Sequence, residues 1–414
     1  MISNSMSLPN EATPRTRRLW MALILGALAS FGPLSIDMYL PALPTLADDL
    51  QTTPSLAQLS LTFCLLGLSL GQLLAGPLSD VRGRRKPLMV GLFVYMIASL
   101  LCAFSPSIWA LIALRFIQGV AGAAGIVISR AIVRDMYSGT ELTKFFTLLM
   151  LVNGVAPIFA PIAGGQLLRI TAWPGVFVVL CLFGVLMLAA VWLALPETLP
   201  LERRSKGGIG NTLSTFRNLL GDRTFMGYAL SQGFVIAAMF AYISGSPFVI
   251  QNIFGASPQM YSVFFAINGL GIIIAGQITG RLAGKVGEAR LLVSGLVIAA
   301  VGGVTLLAMI LAGAGLYAIL LPLFFVVSSV GIVSSTSFAL AMQNQAQAAG
   351  SASALLGLLS FISGGVVAPL VGLGGGETAV PMGIVIAAAD VAAVLCYVVM
   401  IRQKKPAASY TMNA

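Results

Sequence analysis

Asp37 and Arg115 are charged residues inside long apolar stretches of the sequence, and they are the first candidates for chemistry. Charge within a membrane helix is costly and marks a functional site by default. An aspartate in a low-dielectric environment beside an arginine can be poised to exchange protons. The two residues therefore predict a proton-coupling pair. The alternatives are that Asp37 reaches the membrane surface or caps the turn before Pro41, and that Arg115 only binds helix-end carbonyl groups.

The chain contains no histidine, which narrows the chemistry available to this pair. Imidazole general bases, imidazole metal ligands and the usual neutral-pH switch are absent. The four cysteines lie far apart in apolar stretches, and we interpret them as buried packing residues. We expect no metal and no cofactor, with a proton gradient as the energy source. The cysteines are Cys64, Cys102, Cys181 and Cys396.

The composition indicates that lipid surrounds the chain. Of the 414 residues, 58% are hydrophobic and 9% are charged, and the mean hydropathy is +0.97. A soluble domain carries roughly 25% charged residues, which it needs to cover its surface. In a soluble protein the net charge of +10 would suggest nucleic acid. Here we expect a lipid bilayer and no nucleic acid as partner.

Twelve stretches are long and apolar enough to cross a bilayer as helices, which takes about 20 residues each. We number them span 1 to span 12. The predicted fold is an all-α membrane protein with twelve transmembrane helices in two pseudo-symmetric six-helix bundles. The stretches are 19–42, 55–78, 87–105, 107–133, 143–168, 173–195, 224–250, 259–282, 290–312, 316–340, 347–373 and 379–401.

The cations fix a predicted orientation for these spans. Twenty-one of the 23 lysine and arginine residues fall on one side of the twelve-span alternation, while Arg169 lies on the other side and Arg115 within span 4. Positive residues mark the cytoplasmic side, so both termini are predicted to be cytoplasmic. At 1.5 Å per helical residue, Asp37 and Arg115 differ in depth by roughly 7 Å, which makes their pairing feasible.

The longest loop divides the spans into six and six, and the two halves show distant internal similarity. The segment GPLSDVRGRRK at 76–86 has a degraded counterpart at 276–286, and VAP recurs at 155–157 and 367–369. Related halves are typical of transporters. The predicted organisation is a tail at 1–18, a bundle at 19–195, a linker at 196–223, a second bundle at 224–401 and a tail at 402–414.

The loop between spans 2 and 3 resembles the signature loop of the major facilitator superfamily. Val81 replaces the usual first arginine, and Arg85 conservatively replaces the final lysine. Span 4 carries Leu111, Arg115, Gln118 and Gly119 at a spacing similar to another motif of that superfamily. The matching loop positions are Gly76, Leu78, Asp80, Gly83 and Arg84.

Two further stretches point to drug exporters within that superfamily. Span 5 looks like the antiporter motif, through Gly154, Pro157, Pro161, Gly164 and Gly165, with Ala160 in place of a glycine. In span 1, the sequence SIDMYLPALP closely resembles the Bcr/CflA group of drug-resistance transporters. The alternative for span 5 is generic packing of a membrane helix rich in proline and glycine.

The resemblance implies a monomeric, proton-coupled drug antiporter of the bacterial inner membrane that works by alternating access. Its substrates would be small, mostly lipophilic antimicrobials such as phenicols or bicyclomycin. Asp80 with Arg84 would latch the halves against the start of span 11 near Ser351, and Gly83 would permit the tight turn. The alternative is a turn that carries positive charges and has no gating role.

By the plan of the superfamily, spans 1, 4, 7 and 10 would line a substrate cavity. A cavity for lipophilic drugs needs apolar and aromatic walls with a few polar groups. Each candidate has the alternative of facing lipid or packing, and Asn153, Asn268 and Gln277 are alternatively interhelical contacts. The candidates are Tyr39, Gln118, Gln232, Phe240, Tyr242, Ser335 and Thr336.

Other functions remain as alternatives. The same fold could export an amino acid, a small peptide or another metabolite, although the few paired charges favour neutral or lipophilic cargo. A membrane-embedded enzyme is disfavoured by the missing histidine and metal motifs, and a channel or scaffold by the repeated halves. Asp390 is a second acid inside a span; we expect it to have a structural partner in the second half.

Overall fold

The computed structural model describes residues 15–137, 139–204, 217–343, 345, 349–374 and 376–402. Most of the two predicted tails, and residues 205–216 of the predicted linker, lie outside the described residues, as do the side chains of Ser351 and Asn153. Helices and turns make up the described part of the chain, which contains no strand.

The helices follow the order of the predicted spans. Nine helices in the described residues are long and apolar enough to cross a membrane, and the shorter apolar helices Gly154–Leu167 and Leu355–Val371 belong to spans 5 and 11. Spans 2 to 12 are Pro54–Arg82, Arg85–Ala103, Ile108–Met136, Gly139–Leu167, Trp173–Ala194, Arg223–Pro247 with a π-helical end at Phe248–Ile253, Pro258–Val286, Glu288–Leu311, Leu316–Met342, Ala349–Val371 and Val380–Tyr397 with a π-helical end at Val398–Arg402.

Span 1 is a broken helix, and the break determines where the site lies. Helical segments Arg15–Ala29, Phe31–Asp37 and Leu43–Asp49 follow one another, with a 3₁₀ turn at Leu40–Ala42 between the last two. The axis bends by 43° at the first break. Pro33, Pro41 and Pro44 each lack a backbone N–H, so a continuous hydrogen-bond ladder cannot run through this segment.

Side-chain caps start several spans where the sequence predicts a helix. Thr53, Ser107 and Ser257 each accept a hydrogen bond from a backbone N–H in the first turn of spans 2, 4 and 8. Asp222 accepts two such bonds at the start of span 7. These caps satisfy donors that a helix leaves open at its N-terminus.

Equivalent close contacts in the two halves hold neighbouring spans together. A Cβ on Gly119 of span 4 would meet the carbonyl oxygen of Cys64 in span 2, and a Cβ on Gly331 of span 10 would meet that of Ile272 in span 8. Spans 2 and 4 hold the same positions in the first half as spans 8 and 10 in the second. Between the halves, span 2 packs against span 11 and span 5 against span 8.

We expect Gly119→Ala to destabilise the protein by about 1–3 kcal/mol, because overpacking forces the two helices apart. The measurement is the melting temperature of the purified protein in detergent. Gly280→Ala is the matched control, because a Cβ on this glycine of span 8 would meet no atom within 4 Å. Equal melting temperatures for the two variants would contradict the close packing of spans 2 and 4.

Candidate functional site

A cavity of about 780 Å³ lies between the two halves. Residues of spans 1, 2, 4, 5, 7, 8, 10 and 11 line it, and most of these residues are apolar. Its size is that of a site for a drug-sized molecule, and pockets of this kind combine apolar walls with a few polar groups. The cavity therefore marks the candidate site.

The cavity faces one end of the bundle. We call the end at which Arg82, Arg134 and Arg281 lie the basic end, and the cavity reaches Asp80 and Arg134 there. At the opposite end, which we call the closed end, hydrogen bonds join the halves. They run from Gln58 to Ser244 O (3.0 Å), Ser55 to Pro369 O (3.0 Å), Gln251 to Pro41 O (3.2 Å), Gln259 to Gly165 O (2.6 Å) and Ser262 to Pro161 O (2.7 Å).

Asp37 lies at the wall of this cavity, on the last residue of the segment Phe31–Asp37. Its side chain is buried, with 5% of the residue exposed. Within the described part of the chain, no hydrogen bond or ion pair to its carboxylate is found. An acid that is buried against the cavity without a partner is available to a proton or to a bound molecule.

Arg115 does not pair with Asp37, which corrects the predicted ion pair. It donates hydrogen bonds to the carbonyl oxygen of Ser35 (2.7 Å) and to Gln118 Oε1 (2.5 Å). Its guanidinium also lies 4.6 Å from the centre of the Tyr39 ring. Because the helical segment ends at Asp37, the Ser35 carbonyl is in the last turn, where carbonyl groups lack helical partners. Arg115 therefore binds a helix-end carbonyl group, as the alternative to the ion pair predicts.

A hydrogen-bonded network surrounds Arg115 inside the first bundle. Gln118 donates to Ser99 Oγ (2.7 Å), and the Ser35 and Tyr95 hydroxyl groups lie 2.7 Å apart. Tyr39 hydrogen-bonds to Ser60. Tyr39 and Gln118 are fully buried in this network and do not line the cavity, contrary to the prediction. Their polar groups are already occupied by bundle partners.

Of the five cavity candidates in the second half, the structure places two in the cavity lining. Phe240 and Tyr242 line the cavity, whereas Gln232 does not. Ser335 and Thr336 also stay out of the lining, because their hydroxyl groups bond to carbonyl groups one turn earlier in span 10. Asn268, for which an interhelical contact is the alternative, lines the cavity and also donates across helices to the Tyr242 hydroxyl of span 7 (2.9 Å).

The span 5 motif forms contacts with both halves. A Cβ on Gly164 would meet the carbonyl oxygen of Met38, directly after Asp37, and one on Gly165 would meet Ser262 of span 8. Pro157 lines the cavity, and Pro161 accepts the hydrogen bond from Ser262. Gly154 is less restricted, since its Cβ would lie 3.7 Å from Ile273. The small residues allow span 5 to approach the break in span 1.

The loop between spans 2 and 3 is anchored by Arg84. This buried arginine binds Asp80 (2.5 Å) and Asp135 at the end of span 4 (2.7 Å). Burial lowers the pKa of Arg84, but the hydrogen bonds to Asp135 and Asp80 outweigh it, so the net pKa is raised. Asp80 thus contacts its own half in this structure. A Cβ on Gly76 would have space, lying 3.7 Å from Val127.

Glu197, directly after span 6, completes this cluster. Its carboxylate accepts hydrogen bonds from the backbone N–H groups of Arg84 (2.8 Å) and Arg85 (3.2 Å). Gly83 has a φ of +88°, and a Cβ there would lie 2.6 Å from both Arg204 and Glu197. The glycine is therefore required both by its backbone conformation and by space. Arg85 donates to the carbonyl oxygen of Trp192 (2.5 Å).

The sequence reasoning missed Asp135 and Glu197. Each lies at the end of a span beside charged loop residues, a signal too common to single them out.

Asp390 lies away from the cavity, fully buried in span 12. Neither of its carboxylate oxygens has a hydrogen-bond partner among the described residues, which corrects the expectation of a structural partner. A Cβ on Gly303 of span 9 would lie 2.9 Å from its Oδ2. The described residues contain no group of three acidic or cysteine side chains that could hold a metal.

Sequence comparison identifies the family. Residues 15–369 match the Major Facilitator Superfamily. The chain belongs to the Major Facilitator Superfamily. It is 49% identical to the Bacillus subtilis (strain 168) protein named "Uncharacterized MFS-type transporter YdgK", over 88% of this chain and 91% of that protein.

Two further comparisons define the group and the fold. The chain is 32% identical to a Haemophilus influenzae "Bicyclomycin resistance protein homolog", over 91% of this chain and 94% of the relative. The chain is therefore a member of the drug-resistance transporter group of the superfamily, and a multi-pass protein of bacterial membranes. The crystal structure of the nucleoside transporter NupG superposes with a TM-score of 0.77 at 13% identity, covering 93% of this chain and 100% of that chain, and it supports the twelve-helix fold.

Glu197 makes the stability of the loop cluster dependent on pH. Burial alone would raise the pKa of Glu197, but hydrogen bonds from the backbone of Leu199, Arg84 and Arg85 outweigh it and hold the pKa below its usual value. The resulting stabilisation is present above the usual carboxyl pKa and is lost as the pH falls through the lowered value.

We expect Glu197→Gln to lower the melting temperature by about 1–3 °C near neutral pH, and by less in acid, once the pH has fallen through the lowered pKa of the wild-type carboxylate. Glu202→Gln, at an exposed glutamate of the same loop, is the control and should change little. A loss of the same size at both pH values would show that the charge of Glu197 is not involved.

Proposed function

We propose that this protein is a proton-coupled exporter of small, mostly lipophilic antimicrobials, such as phenicols or bicyclomycin. The observation that carries the proposal is a buried acid, without a partner among the described residues, at the wall of a drug-sized cavity between two bundles. The relative named for bicyclomycin resistance supports the choice of substrates. The apolar and aromatic lining favours such cargo over polar metabolites.

In the proposed cycle, a proton and a substrate compete for the environment of Asp37. With the cavity open to the cytoplasm, the ionised carboxylate favours binding of a substrate. After the halves rock, a proton from outside neutralises the carboxylate, and the substrate leaves. The return to the first state releases that proton inside. Arg115 acts as a positioning residue, because it holds the Ser35 carbonyl two residues before Asp37.

The orientation follows from the charges. Cationic loops favour the cytoplasmic side, so the basic end would face the cytoplasm. The closed end would then face the outer side of the inner membrane. We further propose that one chain is the transport unit, since its two halves enclose the cavity. During transport the closed-end hydrogen bonds would break, and the basic end would close through Asp80, Arg84 and the start of span 11.

We expect Asp37→Asn to abolish transport driven by a pH gradient, because an amide cannot take up the coupling proton. The measurement is drug transport into or out of proteoliposomes with an imposed pH gradient, together with a drug-susceptibility panel in an efflux-deficient host. Asp390→Asn is the matched control: this acid is also buried within a span but lies outside the cavity, and it should retain transport.

The two variants separate the possible outcomes. Wild-type-like, pH-dependent export by Asp37→Asn, with the protein present in the membrane, would remove the coupling role. If Asp390→Asn lost transport and Asp37→Asn kept it, the coupling acid would be Asp390 of span 12.

Breaking the closed-end contacts should favour the state that opens at that end. We expect Gln58→Ala with Gln259→Ala to lengthen the distance between spin labels attached at Asp48 and Glu377, two exposed positions on opposite halves. Gln51→Ala is the control, because its side chain bonds within its own half at the same end. Identical distance distributions for the double variant and the control would contradict the role of these bonds.

A further inference from the structure

Asp390 of span 12 is a buried acid that the proposed transport cycle does not use. It is fully buried, and protein atoms enclose both carboxylate oxygens, with no space for a water molecule beside either. Among the described residues, neither oxygen has a hydrogen-bond or ion-pair partner. Buried polar groups are almost always hydrogen-bonded, so an acid without any bond requires an explanation other than packing.

The surroundings of this acid are apolar and closely packed. Span 12 packs mainly against spans 7 and 9. A Cβ on Gly303 of span 9 would lie 2.9 Å from Oδ2 of Asp390 and 3.2 Å from the Cα atom of Ala387. Two turns earlier in span 12, a Cβ on Gly383 would lie 2.9 Å from the Ile310 side chain. The carboxyl group is therefore accommodated between spans 9 and 12 because position 303 has no side chain.

The corresponding level of the first half carries polar groups that have partners. Gly83 and Gly287 precede spans 3 and 9 with φ angles of +88° and +90°. Counted from these glycines, Ser99 and Gly303 occupy the same position in their spans. Ser99 accepts a hydrogen bond from Gln118 (2.7 Å). At this level the first bundle satisfies its polar groups, whereas the second encloses an acid that has no partner among the described residues.

Among the described residues, no cation lies near enough to stabilise an ionised carboxylate. Ser231 of span 7 donates a hydrogen bond to the carbonyl oxygen of Ala393 (3.2 Å), which sets the level of span 12 beside span 7. At 1.5 Å per residue, Arg223 of span 7 lies roughly 16 Å from Asp390 along the bundle, and Arg290 of span 9 roughly 20 Å. The other ionisable groups on span 12 and on its neighbours lie nearer the ends of the bundle or, for Tyr242, at the cavity: Tyr228, Tyr242, Glu288, Glu377, Cys396, Tyr397 and Arg402.

These surroundings favour the neutral form of the acid. A carboxylate without a partner in a low-dielectric interior is strongly unfavourable, whereas a protonated carboxyl group carries no charge. An ionised Asp390 would be stabilised only if span 12 moved away from Gly303 and admitted water. Span 12 is also bonded to span 7, which contributes Phe240 and Tyr242 to the cavity wall. A movement of span 12 would therefore reach that wall.

We propose that Asp390 is a proton-binding site of the second bundle, separate from the transported proton, and that release of its proton in alkaline solution loosens span 12 from span 9. The step is a simple acid–base exchange, in which the carboxyl group gives its proton to hydroxide and becomes a carboxylate. The protonated acid keeps the interface closed, and the ionised acid separates the helices. The inference does not rest on the proposed function, because neither of its readouts is transport.

Infrared spectroscopy of the full-length protein in detergent tests the protonation state, through the C=O band of a protonated carboxyl group. Asp37→Asn is the background, because Asp37 is the other buried carboxylate among the described residues. At neutral pH we expect the band in Asp37→Asn and its loss in the double variant Asp37→Asn with Asp390→Asn. A spectrum of Asp37→Asn without the band would show that Asp390 is ionised and would overturn the inference.

The melting temperature tests release of the proton. An amide resembles the protonated acid in size and has no proton to lose, so Asp390→Asn should melt at or above the wild-type temperature near neutral pH. The wild type should lose stability as the pH rises to about pH 10, because an unpaired charge forms in the bundle. We expect the difference between the two proteins to widen by at least about 3 °C.

Two variants complete this comparison. Glu377→Gln changes an exposed acid just before span 12 and should follow the wild type at every pH. If Asp390→Asn does not fold, Asp390→Leu replaces it, because leucine has a similar volume and also has no proton to lose. A difference between the Asp390 variant and the wild type that stays constant up to about pH 10 would overturn the inference.

Discussion

The hydrogen bond from Arg115 to the carbonyl oxygen of Ser35 is the interaction on which the site depends. Within a lipid bilayer no water is present to bind a backbone group that a broken helix leaves open. The prolines of span 1 break the helix, and the break is tolerable because Arg115 crosses from span 4 to satisfy a carbonyl in the terminal turn. Asp37 can then end its helical segment at the cavity wall. Carbonyl, amide and aromatic groups stabilise the Arg115 guanidinium, and among the described residues it forms no ion pair with Asp37.

Charge is divided between two regions with different tasks. At the loop between spans 2 and 3, Arg84 joins acids from spans 2 and 4, while Glu197 binds the backbone at the turn. These contacts join four spans of one bundle. In the cavity, by contrast, Asp37 and Arg130 form no ion pair with any residue that the structure describes. Paired charges within one bundle and unpaired charges in the cavity fit the proposed cycle, in which the bundles move and the cavity exchanges its occupant.

Much of the architecture could be predicted, because span length and cation placement follow directly from the thickness and polarity of a bilayer. The orientation of side chains around each helix could not be. Tyr39 and Tyr242 are both aromatic residues in expected cavity spans, yet Tyr39 faces its own bundle and Tyr242 the cavity. Similar depth suggested an Asp37–Arg115 pair, but depth says nothing about direction. The partners Asp135 and Glu197 are 51 and 113 residues from Arg84, a separation that only the folded chain closes.

The closed end has a consequence for how the two halves can evolve. Each of the five hydrogen bonds that described residues form there between the halves runs from a side chain to a backbone carbonyl oxygen, and three of those carbonyls belong to prolines. Every residue type supplies such an acceptor, so the accepting positions can change identity while the contact persists. Paired substitutions between homologues should therefore be scarce across this interface. The hydrogen bonds themselves constrain only the donating glutamines and serines, whereas acceptors such as Gly165 and Pro41 are constrained by packing and by the break in span 1.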